Sequence, residues 1–196
     1  MMIYRKKKAM EKNRETETKE EPFNLKKEIW EWVKIIVLAA AIALFVNTFI
    51  IANSWIPSGS MESTIMTHDR IIGSRLAYKF GGEPERGDIV IFHHETGPGN
   101  EDTRLVKRIV GLPGETVEIR DNQVYIDGEL LSEPYLNEEM ESDDFLFEVP
   151  EGCYLMLGDN RNHSADARFW QDPYVPKKDI RAKVLFRYYP KISRIE

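Results

Sequence analysis

The sequence predicts a mostly β domain that follows a single N-terminal transmembrane α-helix. Residues 35–52 form an uncharged run of eighteen residues, interrupted only by the polar Asn47 and Thr48. After residue 68 the pattern changes to short apolar runs separated by Gly, Pro, Asn and Asp, which is typical of strands joined by turns. About 140 residues follow the apolar run, which is enough for one hydrophobic core. We therefore expect an all-β sandwich or a partly closed barrel behind one membrane helix.

The apolar run is long enough to cross a bilayer. At the α-helical rise it spans roughly 27 Å, close to the ~30 Å hydrocarbon core. Trp30, Trp32 and Trp55 flank it, and indole rings favour the membrane interface. One alternative is a buried core helix, but such a helix would show a polar stripe, which this run lacks. A second alternative is a cleaved signal peptide, because residues 52–54 (Ala-Asn-Ser) resemble a signal-peptide cleavage site. Because the run is longer than a usual signal peptide core and follows a long leader, we expect an uncleaved anchor over residues 29–54.

The charges around the apolar run predict its orientation. Ten Lys and Arg residues precede it, and none occurs in the fifteen residues after it. Positive charge stays on the cytoplasmic side of a membrane, so the N-terminus is expected in the cytoplasm. We therefore expect a disordered cytoplasmic leader over residues 1–28 and an extracytoplasmic β-rich domain over residues 55–196. Residues 35–196 carry a net charge of −9, which does not suggest nucleic-acid binding.

Eight segments of this domain have the length and composition of strands. Apolar and polar residues alternate in residues 116–120 and 123–126, and the dipeptides at 121–122 and 127–128 are typical of tight hairpin turns. The acidic stretch 133–144 predicts an exposed loop. The predicted strands cover residues 70–76, 88–93, 103–110, 116–120, 123–126, 145–149, 153–158 and 180–189.

Four segments contain residues that could carry out chemistry, and the first two contain a pair of serines and a lysine. Residues 58–60 (Ser-Gly-Ser) read alone as a flexible linker, but they lie just beyond the apolar run. In residues 105–110, the period of a strand puts Lys107 and Arg108 on opposite faces. One cation is then expected in solvent and the other on an apolar face. An edge strand, with both cations in water, is the alternative.

A lysine on an apolar face has a specific chemical use. Desolvation disfavours the ammonium form and lowers the pKa by up to ~3–5 units. A neutral amine can take the proton of a serine hydroxyl, and serine is a poor nucleophile without such a base. A serine with a desolvated lysine can therefore carry out acyl transfer without His or Asp.

The other two segments are interpreted as a polar loop and a turn. Residues 158–168 (Gly-Asp-Asn-Arg-Asn-His-Ser-Ala-Asp-Ala-Arg) follow an apolar strand and are dense in hydrogen-bonding groups. Their charged residues could form an ion-pair network that braces a loop, and Ser164 could orient a lysine amine. Residues 86–88 (Arg-Gly-Asp) predict a turn into a core strand rather than an adhesion motif.

These four segments, in this order behind an apolar run, resemble type I signal peptidases (leader peptidases), in their compact Gram-positive form. The resemblance covers residues 30–190 and rests on Ser-Gly-Ser-Met, Arg-Gly-Asp-Ile-Val, Val-Lys-Arg-Ile-Val-Gly-Leu-Pro-Gly and Gly-Asp-Asn-Arg…Ser-x-Asp-x-Arg. It implies a two-sheet, mostly β catalytic domain of the Ser-Lys protease type. It also implies a single-pass protein of the cell membrane that cleaves N-terminal signal peptides from exported preproteins. Preproteins and membrane lipid are the implied partners, without nucleic acid, cofactor or metal; the oligomeric state stays open.

The resemblance implies a role for individual residues. Ser60 matches the nucleophile and Lys107 the general base. Ser58 matches the hydroxyl that joins the Ser60 backbone N–H in the oxyanion hole, and Ser164 matches the hydroxyl that positions the lysine. The bracing ion-pair residues are matched by Asp159, Asp166 and Arg168. The shallow substrate pockets are matched by Ile56, Met61 and Val106.

Four positions depart from the family pattern and bear on fine specificity. Ser63, after Glu62, stands where Pro is frequent, Leu105 where Tyr is common, and Ala167 where Ser is usual. His163 stands where Asn is common, and related eukaryotic enzymes use a Ser–His pair. Because Lys107 lies in its full motif, we expect lysine rather than His163 to be the base.

Three other interpretations are weaker. A self-cleaving Ser–Lys repressor would carry a DNA-binding module, which this sequence lacks. A membrane-tethered, non-enzymatic β module that binds a partner would leave Ser60, Lys107 and residues 158–168 unexplained. A metal site at residues 93–95 (His-His-Glu) lacks any recognisable ligand spacing.

Overall fold

The computed structural model describes residues 24–95 and 103–195. The chain divides into two compact units, Met1–Ile42 and Ala43–Glu196. Helix α1 spans Leu25–Phe45 and continues as a π-helical turn over Val46–Ile50. Within the described residues, twelve strands follow: β1 Ile51–Trp55, β2 Arg70–Ser74, β3 Ile89–His94, β4 Thr103–Gly111, β5 Thr116–Arg120, β6 Gln123–Ile126, β7 Glu129–Leu130, β8 Phe145–Glu148, β9 Cys153–Leu157, β10 Tyr174–Pro176, β11 Ile180–Tyr189 and β12 Ser193–Arg194.

The helical segment Leu25–Ile50 is long and apolar enough to cross a membrane. It has 26 residues, its most apolar window has a mean hydropathy of 2.4, and none of that window is buried. The absence of buried residues in α1 argues against a core helix. The helix ends four residues before the predicted boundary at residue 54, because Ile51–Trp55 pairs with β2 as an antiparallel strand. Ala52 and Ser54 are the buried residues of that strand, and they alternate with the exposed Asn53 and Trp55.

The mostly β, two-sheet architecture predicted from the sequence is confirmed. One sheet has eight strands in the order β1-β2-β11-β3-β4-β9-β10, with β12 paired to β11. The other has four strands in the order β7-β6-β5-β8. Strand β4 pairs with β3 on one side and with β9 on the other, so the prediction that it could be an edge strand is wrong.

The eight predicted strands are all present, and each boundary lies within two residues of its predicted position. Asp121 and Asn122 have φ of 50° and 60°, the left-handed backbone that a two-residue turn between β5 and β6 requires. The interpretation of residues 133–144 as an exposed loop is wrong in part. Met140 is buried, and the Glu133 side chain is 7% exposed against Arg161.

Two hydrophobic clusters cover opposite faces of the central strands. Strand β3 places Val90 and Phe92 in the first cluster, and Ile89 and Ile91 in the second. This follows from the alternation of side chains along a strand. The second cluster lies under the turn that carries Ser60, and it includes Ile56, Met61, Ile65 and Ile71. In the middle of β4, Lys107 and Arg108 point to opposite faces and are both buried.

Candidate active site

The turn that carries Ser60 is held in place from below and from the side. Met61 and Ile65 are 1% and 0% exposed, so they anchor the turn in the second cluster. Asn160 binds it from the loop after β9. Its backbone N–H donates to the Ser60 carbonyl at 3.1 Å, and its Nδ2 donates to the Gly59 carbonyl at 2.9 Å. Ser60 itself is only partly buried, so the turn lies at the surface of the domain.

Lys107 reaches the same hydroxyl from the central strand β4. Its side chain is 3% exposed, and its backbone lies opposite Val90 of β3. The Nζ donates a hydrogen bond to Ser60 Oγ at 2.5 Å. The two residues predicted as nucleophile and base are thus brought together from positions 47 residues apart in the chain.

Burial determines the charge of this amine. Loss of solvent lowers the pKa of Lys107 from 10.5 to about 8, although Asp166 and Asp159 favour the ammonium form. Each of those carboxylates already faces an arginine, which limits its pull on Lys107. About a tenth of the amines are therefore neutral at pH 7, whereas an unperturbed lysine would be almost fully charged, and a general base requires this neutral form.

Two buried ion pairs support the site. Arg168 grips Asp166 through Nε–Oδ1 at 2.8 Å and Nη2–Oδ2 at 2.9 Å. Asp159 does not join this pair, because it binds Arg108 through Nε–Oδ1 at 2.8 Å and Nη2–Oδ2 at 2.7 Å. Arg108 is 3% exposed, so the prediction that one of the two cations of β4 is solvated is wrong. Both faces of β4 are covered, and each cation is accommodated differently.

The remaining predicted residues lie around this centre. The Ser164 Oγ is buried and has no hydrogen-bond partner among the described residues, Lys107 included. It lies beside Gly158, on the side where a Cβ of that residue would also meet the Ser60 carbonyl. Ser58 is exposed, two residues before Ser60. The predicted pocket residues share the second cluster, with Ile56 and Met61 buried and Val106 partly buried.

A cleft of about 730 Å³ lies along the Ser60 turn on the side of the loop after β9. Its lining includes Gly59, Glu62, Asn160 and His163. His163 is exposed, and its Nδ1 lies 3.3 Å from the Asn160 Oδ1. Hydrogen bonds from the Thr67 hydroxyl and amide lower the pKa of Glu62. Among residues 24–95 and 103–195, no three His, Cys, Asp or Glu side chains cluster as metal ligands.

Three supporting residues were not identified from the sequence. Asn160 fixes the Ser60 turn, Arg108 fixes Asp159, and Arg161 pairs with Glu133 while its Nε donates to the Gly158 carbonyl at 3.0 Å. The sequence signals for Asn160 and Arg161 are the density of polar groups in residues 158–168 and their place in the Gly-Asp-Asn-Arg motif, neither of which gives their contacts. Their partners lie up to 101 residues away, so pattern alone could not supply them.

A two-sheet β domain that follows an apolar helix and holds a lysine amine against a serine hydroxyl has the arrangement expected of a Ser–Lys peptidase. The family described as "Signal peptidase, peptidase S26" matches residues 29–189. The chain belongs to this family.

Relatives and a solved structure agree with this assignment by sequence. Signal peptidase I S of Bacillus subtilis is 37% identical over 183 residues, 88% of this chain and 95% of its own length. Signal peptidase I of Leptolyngbya laminosa is 37% identical over 166 residues, 83% of this chain and 80% of its own. A crystal structure of a signal peptidase I from Enterococcus faecalis, 37% identical, covers 52% of this chain and 96% of its own, with a TM-score of 0.45.

Proposed function

We propose that this chain is a membrane-bound signal peptidase I that cleaves signal peptides from exported preproteins, with Ser60 as nucleophile and Lys107 as base. The observation that carries the proposal is the 2.5 Å contact between Ser60 Oγ and the Nζ of a lysine that is 3% exposed. The names of the relatives support the reaction. The apolar helix supports the anchor. The ten Lys and Arg residues before the apolar run support an N-terminus in the cytoplasm and a β domain outside.

The reaction follows from the neutral amine. Lys107 accepts the Ser60 proton as the Oγ attacks the scissile carbonyl, and a tetrahedral oxyanion forms. When the C–N bond breaks, the Lys107 ammonium returns that proton to the amine of the departing mature chain. A water then gives a proton to Lys107 and attacks the Ser60 ester. Release of the signal peptide as a carboxylic acid restores the Ser60 hydroxyl.

Neighbouring donors would stabilise the oxyanion. The Ser60 backbone N–H donates to no acceptor in the described part of the chain, so it is available to a developing negative charge. The exposed Ser58 hydroxyl lies two residues away and supplies the second donor. We assign Ser164 to orient Lys107, because a buried hydroxyl without a partner beside the Ser60 backbone is free to take one.

The second cluster supports selection of small residues before the cut. Ile56 and Met61 are 3% and 1% exposed, so they can form only the floor of a shallow pocket, with Val106 beside it. Such a pocket admits Ala and excludes bulky side chains. The membrane anchor would raise the local concentration of enzyme and preprotein relative to each other.

The test is cleavage of a preprotein with an Ala-x-Ala site by the purified full chain in detergent. We expect Ser60→Ala and Lys107→Ala each to reduce the rate by at least about 10³-fold, because each removes one half of an interdependent pair. The exposed Ser132→Ala and Lys191→Ala serve as matched controls and should cleave normally. Full activity of Lys107→Ala would refute the base, and binding of preprotein without turnover by the unmodified chain would favour a non-enzymatic module.

A further inference from the structure

A basic cleft of about 490 Å³ lies in the unit Ala43–Glu196, where the helical segment meets the sheet. Among the residues that the structure describes, five cationic side chains and no acidic one line it, namely Arg75, Lys79, Lys177, Lys178 and Arg181. The other lining residues are Thr48, Tyr78 and Ile180. Thr48 belongs to the last turn of the segment Leu25–Ile50, so the cleft includes the end of the candidate span itself.

Hydrogen bonds fix the cleft at the end of the candidate span. The Arg75 backbone N–H donates to the carbonyl of Ile50, the last residue of that segment, at 2.8 Å. Its Nε donates to the Ile51 carbonyl at 3.0 Å. Because Ile51 also pairs with Ser74, Arg75 cannot move away from this point without breaking the first ladder of the sheet. A ligand bound by Arg75 therefore lies where the chain leaves the bilayer.

Most of the cationic side chains in the cleft form no ion pair with the described part of the chain. Lys177 pairs with Glu83 at 2.5 Å. Lys79, Lys178 and Arg181 are exposed and have no ion-pair partner among the described residues. Like charges gathered without a counter-charge repel one another, so an anion in the cleft would be favoured.

We propose that this cleft binds the phosphate of an anionic phospholipid headgroup in the leaflet where the helical segment ends. The Arg75 and Arg181 guanidiniums match the geometry of phosphate oxygens, and the lysines add charge. Headgroup phosphates are the anions present at the height of a span's end. The inference rests on the membrane anchoring in the proposed function and is independent of the Ser60–Lys107 chemistry.

The test is a lipid titration of the purified full chain in a neutral detergent, followed by native mass spectrometry. Phosphatidylglycerol is the anionic probe, and phosphatidylcholine is the zwitterionic reference. We expect phosphatidylglycerol to bind at least about tenfold more tightly, and Lys178→Gln/Arg181→Gln to lose about 25-fold of that affinity, roughly fivefold per cation near a membrane surface. Preprotein cleavage in neutral detergent should be unchanged in this variant, which shows that it is folded.

Two controls separate the lipid site from general charge effects. Arg104→Gln/Arg120→Gln removes the same amount of charge outside the cleft, and this variant should keep its phosphatidylglycerol affinity within about twofold of the unmodified chain. Binding through net charge alone would instead weaken both double variants equally. The proposal is overturned if the two double variants lose affinity equally or neither loses it. It is also overturned if inorganic phosphate binds as tightly as the lipid. Flotation with phosphatidylcholine vesicles tests the membrane anchor separately. A chain that floats with these vesicles but shows no preference for phosphatidylglycerol in the titration refutes the headgroup site and leaves the proposed anchor intact.

Discussion

Lys107 is the residue whose charge decides whether the proposed chemistry can run. Burial lowers its pKa to about 8. About half of the amines are then neutral at pH 8 and about a tenth at pH 7. We expect log(kcat/KM) for a preprotein to rise with a slope of one below pH 8 and to level off above it. A rate that falls steadily from pH 6 to pH 9 would contradict a lysine base.

His163 provides the control for this pH profile. It lines the cleft beside Ser60 and is exposed, so it is the alternative candidate for the base at this site. Because its Nδ1 contacts Asn160 rather than Ser60, we expect His163→Asn to keep the same midpoint near pH 8. Loss of the rising limb in that variant would transfer the basic role from Lys107 to His163.

The residues of the proposed dyad and the Asp166–Arg168 pair could be selected from the sequence, whereas the supporting role of Arg108 could not. Ser60 and Lys107 stand in motifs that resemble a family, and the physics of a buried amine explains why a strand lysine matters. Whether Arg108 is buried depends on whether both faces of β4 are covered, and the alternation of side chains along a strand does not show this. Its partner Asp159 lies 51 residues further along the chain, so that pair emerges only from the fold.

The junction between β9 and the following loop depends on a residue without a side chain. A Cβ on Gly158 would approach the Ser60 carbonyl oxygen to 2.5 Å and the Ser164 side chain more closely still. The loop would have to move away from the Ser60 turn, and the Asn160 contacts would be strained with it. Gly158 therefore allows β9 and the nucleophile turn to approach each other.

We expect Gly158→Ala to reduce kcat by at least about 100-fold, since a displacement of order 1 Å at reacting groups has that effect. Gly59→Ala is the matched control, because its Cβ would meet only the flexible Glu62 carboxylate, at 3.0 Å. That variant should retain activity within about tenfold of the unmodified chain, because the Glu62 side chain can move and Ser60 stays in place. Equal activity of the two variants in the preprotein assay would show that the contact at Gly158 does not position Ser60.

The strands were easier to predict than the points where elements change. Alternation and turn residues identified eight strands, including the hairpin at Asp121 and Asn122. The strand β1 was hidden, because the apolar run continues from the helix into Ile51 and Ala52 without a polar break. The short strands β7, β10 and β12 have two or three residues each, too few to show a period.

Stability of the whole molecule and the proposed activity place opposite demands on position 107. Two clusters cover the central sheet, so Lys107 can meet Ser60 only from a buried position. Below pH 8 the folded protein must hold a buried ammonium, whose pKa in the unfolded chain is 10.5. The unfolded chain binds more protons between these values, so the Lys107 contribution to the free energy of unfolding rises from pH 8 to pH 10.5. Under neutral conditions this lysine destabilises the fold.

We therefore expect Lys107→Met, which keeps the length and apolar stem of the side chain, to stabilise the full chain at pH 7 by up to about 3 kcal/mol while abolishing cleavage. The advantage should shrink through the interval between pH 8 and 10.5 and vanish above it, because the lysine is then neutral in both states. Urea unfolding midpoints in detergent, measured across this range, provide the test. Lys191→Met, at an exposed site, should show no such pH-dependent gain. If Lys107→Met were less stable than the unmodified chain at every pH, the claim that the Lys107 ammonium destabilises the folded state would be wrong.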